Sequence, residues 1–91
     1  MVNYNGNLVA FEDAKITPNN RALKYGDSVF ETLKLVNGKL LFWEAHYFRL
    51  MASMRMLRMK IPMSFTLEFL ENEILKTAKA TNSNNNLRIR L

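Results

Sequence analysis

A hairpin signal between residues 28 and 42 constrains the fold of this chain more than any other feature of its sequence. Ser28–Val36 is rich in β-branched and aromatic residues, and the Asn37-Gly38 pair that follows favours a type I′ turn. Lys39–Phe42 then resumes an apolar strand pattern. We therefore expect a long antiparallel hairpin over Ser28–Phe42.

The hydrophobic period changes to that of a helix after this hairpin. The pattern predicts a first helix over Trp43–Met59, which ends before Ile61-Pro62 because the residue preceding proline avoids helical geometry. A second helix is predicted at about Thr66–Ala80, with Ser64 or Thr66 as its cap. The residues expected to face the core are Tyr47, Leu50, Met51, Met54 and Leu57 in the first helix, and Leu67, Leu70, Ile74 and Ala78 in the second.

Shorter signals complete the order of elements. Val2–Tyr4 and Leu8–Phe11 flank a tight Asn5-Gly6-Asn7 turn, and Leu87–Leu91 alternates apolar and basic residues as a strand does. Loops are expected at residues 17–20, 26–27 and 81–86. The predicted order is β-β-β-β-α-α-β, which favours an α+β two-layer domain, a mainly antiparallel sheet packed against two helices.

The 91 residues are enough for one domain, residues 1–91. The chain breaks off within its last strand, so we expect either a domain truncated at its C-terminal end or a genuine edge strand. No signal peptide, no cysteine and no apolar run of about 20 residues is present, so we expect a cytoplasmic protein without a membrane partner. The net charge of +5 suits solvated helix faces or an anionic partner.

Glu31 is the first candidate for a functional residue. It shares one strand face with Val29, Leu33 and Leu35, and a carboxylate among aliphatic side chains is costly to bury unless it is paired. Glu31 is therefore a functional residue, a structural partner of an arginine, or a residue at the wet end of the strand.

Two further clusters carry cations. His46 and Arg49 lie three residues apart and share a helix face distinct from the apolar one, which indicates either a site or ordinary surface residues. Arginine presents a planar fork of donors that suits phosphate. Arg88 and Arg90 share a face of the last strand, where they form an anion site or guard an exposed edge.

These pieces together resemble the N-terminal domain of fold-type IV, or class IV, pyridoxal-phosphate-dependent aminotransferases. The resemblance runs in order through Arg21-Ala-Leu-Lys-Tyr-Gly-Asp-Ser-Val-Phe-Glu-Thr32, Asn37-Gly38, His46-Tyr-Phe-Arg-Leu50, Ser53 and Ile61-Pro62. The family includes branched-chain and D-amino-acid aminotransferases and aminodeoxychorismate lyase. It implies pyridoxal 5′-phosphate as cofactor, an amino acid or aminodeoxychorismate-like substrate, and a homodimer. Recognised RNA- or DNA-binding motifs are missing from the sequence, so we expect no nucleic-acid partner.

The resemblance also implies roles for individual residues. Arg49 matches the arginine that contacts the cofactor phosphate, and Phe30 matches an aromatic residue that borders the substrate pocket. Tyr25 and Arg88 lie where some family members place groups that contact substrate. Glu31 matches a characteristic glutamate near the site, and we expect it to pair with His46 or Arg49.

The chain also departs from the family pattern. Thr32 stands where branched-chain enzymes commonly have glycine, which favours the lyase-like or less specialised members. The resemblance assigns no catalytic position to Lys24, Lys34, Lys39 or Lys60, so the Schiff-base lysine is not in this chain. We therefore expect an N-terminal part that is inactive alone, binding no cofactor alone, or a non-catalytic truncated or decayed module that retains the fold and dimer contacts. A small basic nucleic-acid binder is a third hypothesis, which rests only on the net charge and a few aromatic residues.

Overall fold

A computed structural model describes residues 1–81 and 86–91 of the chain. The strands are β1 (Val2–Tyr4), β2 (Asn7–Val9), β3 (Thr32–Val36), β4 (Lys39–Leu40) and β5 (Leu87–Arg90). The helices are α1 (Arg21–Tyr25), α2 (Trp43–Met56) and α3 (Leu67–Ala80), with a short 3-10 turn at Phe11–Asp13. The predicted α+β class and the order of the main elements are confirmed.

The strands form two separate antiparallel sheets. β1 pairs with β2, and β3 lies between β4 and β5 in a three-stranded sheet. In the β3–β5 register Thr32 lies opposite Arg90 and Lys34 opposite Arg88. Two backbone hydrogen bonds of 2.9 Å between Glu31 and Leu91 extend this pairing by one position. The pairing thus holds Glu31, directly before β3, against Leu91, directly after β5.

The core lies between the three-stranded sheet and helices α2 and α3. Its buried members are Leu33, Trp43, Leu50, Met51, Leu70 and Ile74. Thr66 caps α3 by accepting a hydrogen bond of 3.1 Å from the Phe69 amide, as its position before the apolar face predicted. The first hairpin is held to α3 because the Asn3 amide donates to Glu73 and Thr77, both at 3.1 Å.

The central hairpin is shorter than predicted at both of its ends. β3 begins at Thr32 rather than Ser28, since among the described residues nothing pairs with residues 28–30 as a strand. β4 ends at Leu40 because Phe42 takes a left-handed conformation (φ 55°) and is the N-cap residue of α2. Such a conformation is uncommon for a bulky residue, and here it turns the chain from strand directly into helix.

Helix α2 ends three residues earlier than predicted. Arg58 takes a left-handed conformation (φ 55°), the Arg58 amide donates to the Arg55 carbonyl, and the Met59 amide donates to the Met54 carbonyl. This is a Schellman-type ending, usually made with glycine. As a result Leu57 lies past the helix and is 37% exposed, so its predicted place in the core is wrong.

The short helix α1 was not predicted. Asn20 caps it by accepting a hydrogen bond of 2.9 Å from the Ala22 amide, and Gly26 ends it with φ 71°. The expected loop at 17–20 is thus a turn followed by a helix cap, and the Gly26-Asp27 loop is the helix exit. The interior of the loop predicted at 81–86 lies outside the described residues.

Free strand edges and one helix border an open groove of about 760 Å³. Met1–Asn3 lies on one side, β5 lies on the other, and α3 contributes Phe69, Leu70 and Ile74. Within the described residues, neither β1 nor β5 has a second strand partner. Among the same residues, no helix has the length and apolar character required to cross a bilayer.

Candidate functional site

Glu31 lies on the inner face of the sheet, directly before β3. Its residue is only 7% exposed, whereas the neighbouring Phe30 is 59% exposed on the other face. The alternation of β3 continues backward through this position, because Leu33 and Leu35 are buried and Thr32 and Lys34 are exposed. The alternation of side chains along the strand therefore places the Glu31 carboxylate on the sheet face that α2 covers.

Helix α2 brings His46 and Arg49 onto this carboxylate. The Arg49 Nη2 donates to Glu31 Oε1 at 2.7 Å, and Nε donates to Oε2 at 2.9 Å. The His46 Nδ1 lies 2.6 Å from the same Oε1. The expected pairing of Glu31 is confirmed with both partners, and the reading of Glu31 as a residue at a wet strand end is wrong.

The network determines the charge state of the cluster. Arg49 chiefly, and His46 in addition, lower the pKa of Glu31 below its usual value, although burial opposes them. An ionised Glu31 can only accept hydrogen bonds, so we assign the His46 proton to Nδ1. Glu31 in turn raises the pKa of Arg49. The cluster therefore holds one buried negative charge and one fixed guanidinium.

The Arg49 side chain remains 65% exposed even though Glu31 binds it. The hydrogen bonds to Glu31 use Nε and Nη2, and among the described residues Nη1 takes part in none of them. A guanidinium fixed along one edge and open along the other can bind an oxyanion without losing further side-chain freedom. This arrangement is suited to an anionic ligand.

The outer face of the three-stranded sheet carries a second group of cations. Lys34 and Arg88 are register partners across β3 and β5, and both line an open depression of about 600 Å³ together with His46 and Phe42. Arg90 lies over the Phe30 ring, with its guanidinium carbon 4.5 Å from the ring centroid. These residues form a positively charged face beside the Glu31–His46–Arg49 cluster.

The structure brings together some of the predicted site residues and leaves others apart. Glu31, His46 and Arg49 form one cluster, Arg88 lines the depression that includes His46, and Phe30 lies on the outer face. Tyr25 is 69% exposed at the end of α1, and neither cavity described above includes it. Lys34 and Phe42 also line the depression that includes His46 and were not predicted as candidates, although strand alternation already placed Lys34 on the same face as Thr32.

The fold therefore presents an exposed arginine whose guanidinium a buried glutamate fixes along one edge. Residues 28–91 match the family model described as Amino-transferase class IV. The chain belongs to this pyridoxal-phosphate-dependent family, so the resemblance noted in the sequence is confirmed at the level of family.

Individual relatives are D-alanine aminotransferases. This chain is 38% identical over 60 residues to that of Listeria monocytogenes serotype 1/2a (strain 10403S), which covers 66% of the chain and 21% of the relative. It is 37% identical over 49 residues to that of Staphylococcus aureus (strain N315), which covers 54% and 17%. The chain thus matches about a fifth of the length of these relatives.

Proposed function

We propose that this chain is the N-terminal, phosphate-contacting part of a pyridoxal-phosphate-dependent aminotransferase. The observation that carries the proposal is the open guanidinium of Arg49, which Glu31 fixes through two nitrogens. When bound, pyridoxal 5′-phosphate supplies an electron sink for chemistry at an amino-acid carbon. The part of this chain is to hold an anionic group and to form one wall of the site.

The residues present fit a phosphate group chemically. Arg49 offers donors in a plane, and its charge is fixed because the buried Glu31 carboxylate is held by it. His46 is 16% exposed and its Nδ1 faces Glu31, so its role is to orient the carboxylate rather than to bind ligand. Arg49 is accordingly the cofactor-binding residue, and Glu31 and His46 are its positioning residues.

The outer face of the sheet suggests the kind of substrate. Arg88 and Lys34 line one depression and suit the carboxylate of an amino acid. The exposed Phe30 ring lies on the same outer face and offers an apolar surface to a substrate. Tyr25 would have to approach from its exposed position on α1. Since the relatives above are D-alanine aminotransferases, we favour amino transfer with a small D-amino acid over elimination from an aminodeoxychorismate-like substrate.

The chain alone is expected to be inactive and to bind no cofactor. The family resemblance gives a catalytic position to none of its lysines, so the lysine and the rest of the phosphate site must come from further polypeptide. The groove between β1 and β5 supports this, because it offers the free edges of two strands to a further strand. We expect the complete enzyme to be a cytoplasmic homodimer.

A non-catalytic module that keeps the fold is the second candidate. The observation that favours it is that Glu31 is fully satisfied by His46 and Arg49, as a purely structural pair would be. The nucleotide sequence after the Leu91 codon separates the two candidates. A reading frame that continues into a region with a suitable lysine supports the enzyme, whereas a stop codon supports the module.

A chimera tests the proposed function directly. The matched 60-residue segment of the L. monocytogenes D-alanine aminotransferase is replaced by the corresponding segment of this chain. We expect the chimera to show the absorbance band of bound pyridoxal 5′-phosphate and to transfer the amino group of D-alanine. The 91-residue chain alone is expected to show neither property.

A folded chimera without cofactor absorbance at saturating pyridoxal 5′-phosphate would count against the proposal. The unmodified Listeria enzyme, prepared in parallel, serves as the positive control. Circular dichroism establishes that the chimera is folded before its absorbance is interpreted.

A further inference from the structure

Phe42 takes a backbone conformation that its residue type does not favour, and it contributes little to the core. Its φ of 55° lies in the left-handed region, where a bulky residue is an outlier. Phe42 is 80% exposed, so packing of its ring does not compensate for this conformation. Residues held in this way cost stability and are concentrated at ligand-binding sites. The outlier therefore indicates a function for the ring.

The other left-handed positions show which residue would make the same turn at a lower cost. Within residues 1–81 and 86–91, the other non-glycine positions with positive φ are Asn5, Asn37 and Arg58. Asparagine tolerates this region because its short polar side chain bonds locally. An asparagine at position 42 would therefore lead from strand into helix with less strain. Arg58 has the same φ of 55° and lines neither cavity described above, so it provides a matched control.

Phe42 lies at the apolar end of the open depression on the outer face of the three-stranded sheet. The Leu41 amide donates a hydrogen bond of 3.0 Å to the Lys34 carbonyl, and Lys34 is the register partner of Arg88. Arg88, Lys34 and Leu41 therefore form one row across the sheet, with adjacent strands about 4.8 Å apart. Phe42 directly follows Leu41, and all four residues line the depression. The depression thus has two cations at one end and two apolar side chains at the other.

The cationic end of the depression is suited to an anion. Like charges on directly opposed residues of an antiparallel pair destabilise that pair. Within the described residues neither Lys34 nor Arg88 forms an ion pair. A carboxylate bound between them relieves their repulsion and accepts charge-assisted hydrogen bonds.

We propose that Phe42 is a specificity-determining residue, and that the depression binds a carboxylate ligand with an aromatic or other bulky apolar side chain. The carboxylate lies between Lys34 and Arg88, and the apolar group lies against Leu41 and Phe42. An aromatic ring of the ligand gains a contact with the Phe42 ring that exceeds the effect of buried area alone. The volume of about 600 Å³ is within the usual range for a small-molecule site.

This ligand deepens the proposed function, and it rests on that function only for its identification as a substrate. Amino transfer needs two substrates, an amino donor and a 2-oxo acid that receives the amino group. The small D-amino acid favoured above is too short to fill the apolar end of the depression. The ligand with the bulky side chain is therefore assigned to the 2-oxo acid.

A nuclear magnetic resonance titration of the 91-residue chain with two carboxylates tests the proposal. The probes are 3-phenylpropanoate and propanoate, which differ only by the phenyl group. We expect 3-phenylpropanoate to bind about threefold to tenfold more tightly than propanoate, and to shift the amide resonances of Lys34, Phe42 and Arg88. Phe42→Asn is expected to bind the two probes equally. Phe42→Tyr, which keeps an aromatic ring, is expected to retain the preference.

Two further variants separate the loss of the ring from other changes. Arg58→Asn alters the same backbone conformation outside the depression and is expected to retain the preference for 3-phenylpropanoate. Lys34→Gln removes a cation but not the ring, and it is expected to weaken the binding of both probes alike. Urea unfolding gives a second readout. Phe42→Asn and Arg58→Asn are both expected to raise the midpoint urea concentration, because asparagine relieves the strain of the left-handed backbone.

The proposal is overturned if the wild-type chain binds neither probe or binds both equally, or if Phe42→Asn keeps the preference for 3-phenylpropanoate. A Phe42→Asn chain that is less stable than the wild type also overturns it, because Phe42 would then serve the fold. No cofactor takes part in the titration. Its failure is therefore distinguishable from a failure of the proposed function, which the chimera tests separately.

Discussion

Arg49 donates hydrogen bonds to the buried Glu31 carboxylate from two nitrogens, Nη2 at 2.7 Å from Oε1 and Nε at 2.9 Å from Oε2. The two residues lie 18 positions apart, Glu31 directly before β3 and Arg49 within α2. The contact is therefore tertiary, and it joins the start of β3 to the middle of α2. It is also the relationship from which we derive the role of Arg49 as a ligand-binding residue.

Acid is expected to weaken the fold through Glu31. Its pKa is lowered in the folded chain, so its stabilising contribution is fully present above the unfolded pKa of about 4.3 and is lost as the pH falls through the folded pKa. Glu31→Gln should lower the free energy of unfolding near neutral pH and reduce its fall on acidification. Urea unfolding at a series of pH values measures both effects.

Glu73 provides a comparison for this experiment, because its pKa is also lowered, chiefly by a hydrogen bond from Lys76. Its contribution is lost in the same direction as acid is added. The double variant Glu31→Gln/Glu73→Gln should therefore depend least on pH. A Glu31→Gln chain with the same acid dependence as the wild type would show that the Glu31 pair does not stabilise the fold.

Truncation of Leu33 is expected to be severely destabilising. Leu33 is 1% exposed at the centre of the sheet, and Leu33→Ala leaves a cavity that should lower the free energy of unfolding by about 2–5 kcal/mol. Leu23→Ala is the control, because Leu23 is 60% exposed and its truncation should change stability by about 0.5 kcal/mol or less. If urea unfolding shows that Leu33→Ala and Leu23→Ala lower the free energy of unfolding equally, Leu33 is not part of the core.

The hydroxyl of Tyr47 is expected to make a smaller contribution. It donates a hydrogen bond of 2.7 Å to the Phe65 carbonyl and so ties α2 to the segment before α3. Tyr47→Phe should lower the free energy of unfolding by about 0.5–1.5 kcal/mol. Tyr4→Phe, at a residue 41% exposed, should have almost no effect in the same urea titration. If Tyr47→Phe and Tyr4→Phe change the free energy of unfolding equally, the hydrogen bond from Tyr47 to the Phe65 carbonyl does not stabilise the fold.

Features with a clear period were predictable from the sequence. Strand alternation placed Glu31 among buried leucines, and a spacing of three placed His46 and Arg49 on one helix face. The pairing could be expected because a buried carboxylate needs a partner. What could not be predicted was that both partners share one carboxylate oxygen, since this depends on how far α2 lies from the sheet.

Helix ends were harder to predict because they rely on conformations that the residue type does not reveal. Arg58 ends α2 with a left-handed backbone that usually belongs to glycine, and Phe42 begins the same helix in a similar way. In α1 the residue types were informative, since Asn20 and Gly26 are a standard cap pair. The five residues between them were too few to show a hydrophobic period.

Cofactor affinity in the chimera tests the central claim most directly. We predict that Arg49→Gln weakens binding of pyridoxal 5′-phosphate about tenfold to a hundredfold, because charge-assisted hydrogen bonds are lost. The Arg49→Lys chimera should have an intermediate affinity, since lysine keeps the positive charge but lacks the planar set of donors of the guanidinium. Arg55→Gln, on the same helix, should bind as the unaltered chimera does. Equal affinity in the Arg49→Gln and Arg55→Gln chimeras would contradict the role of Arg49 in binding the phosphate.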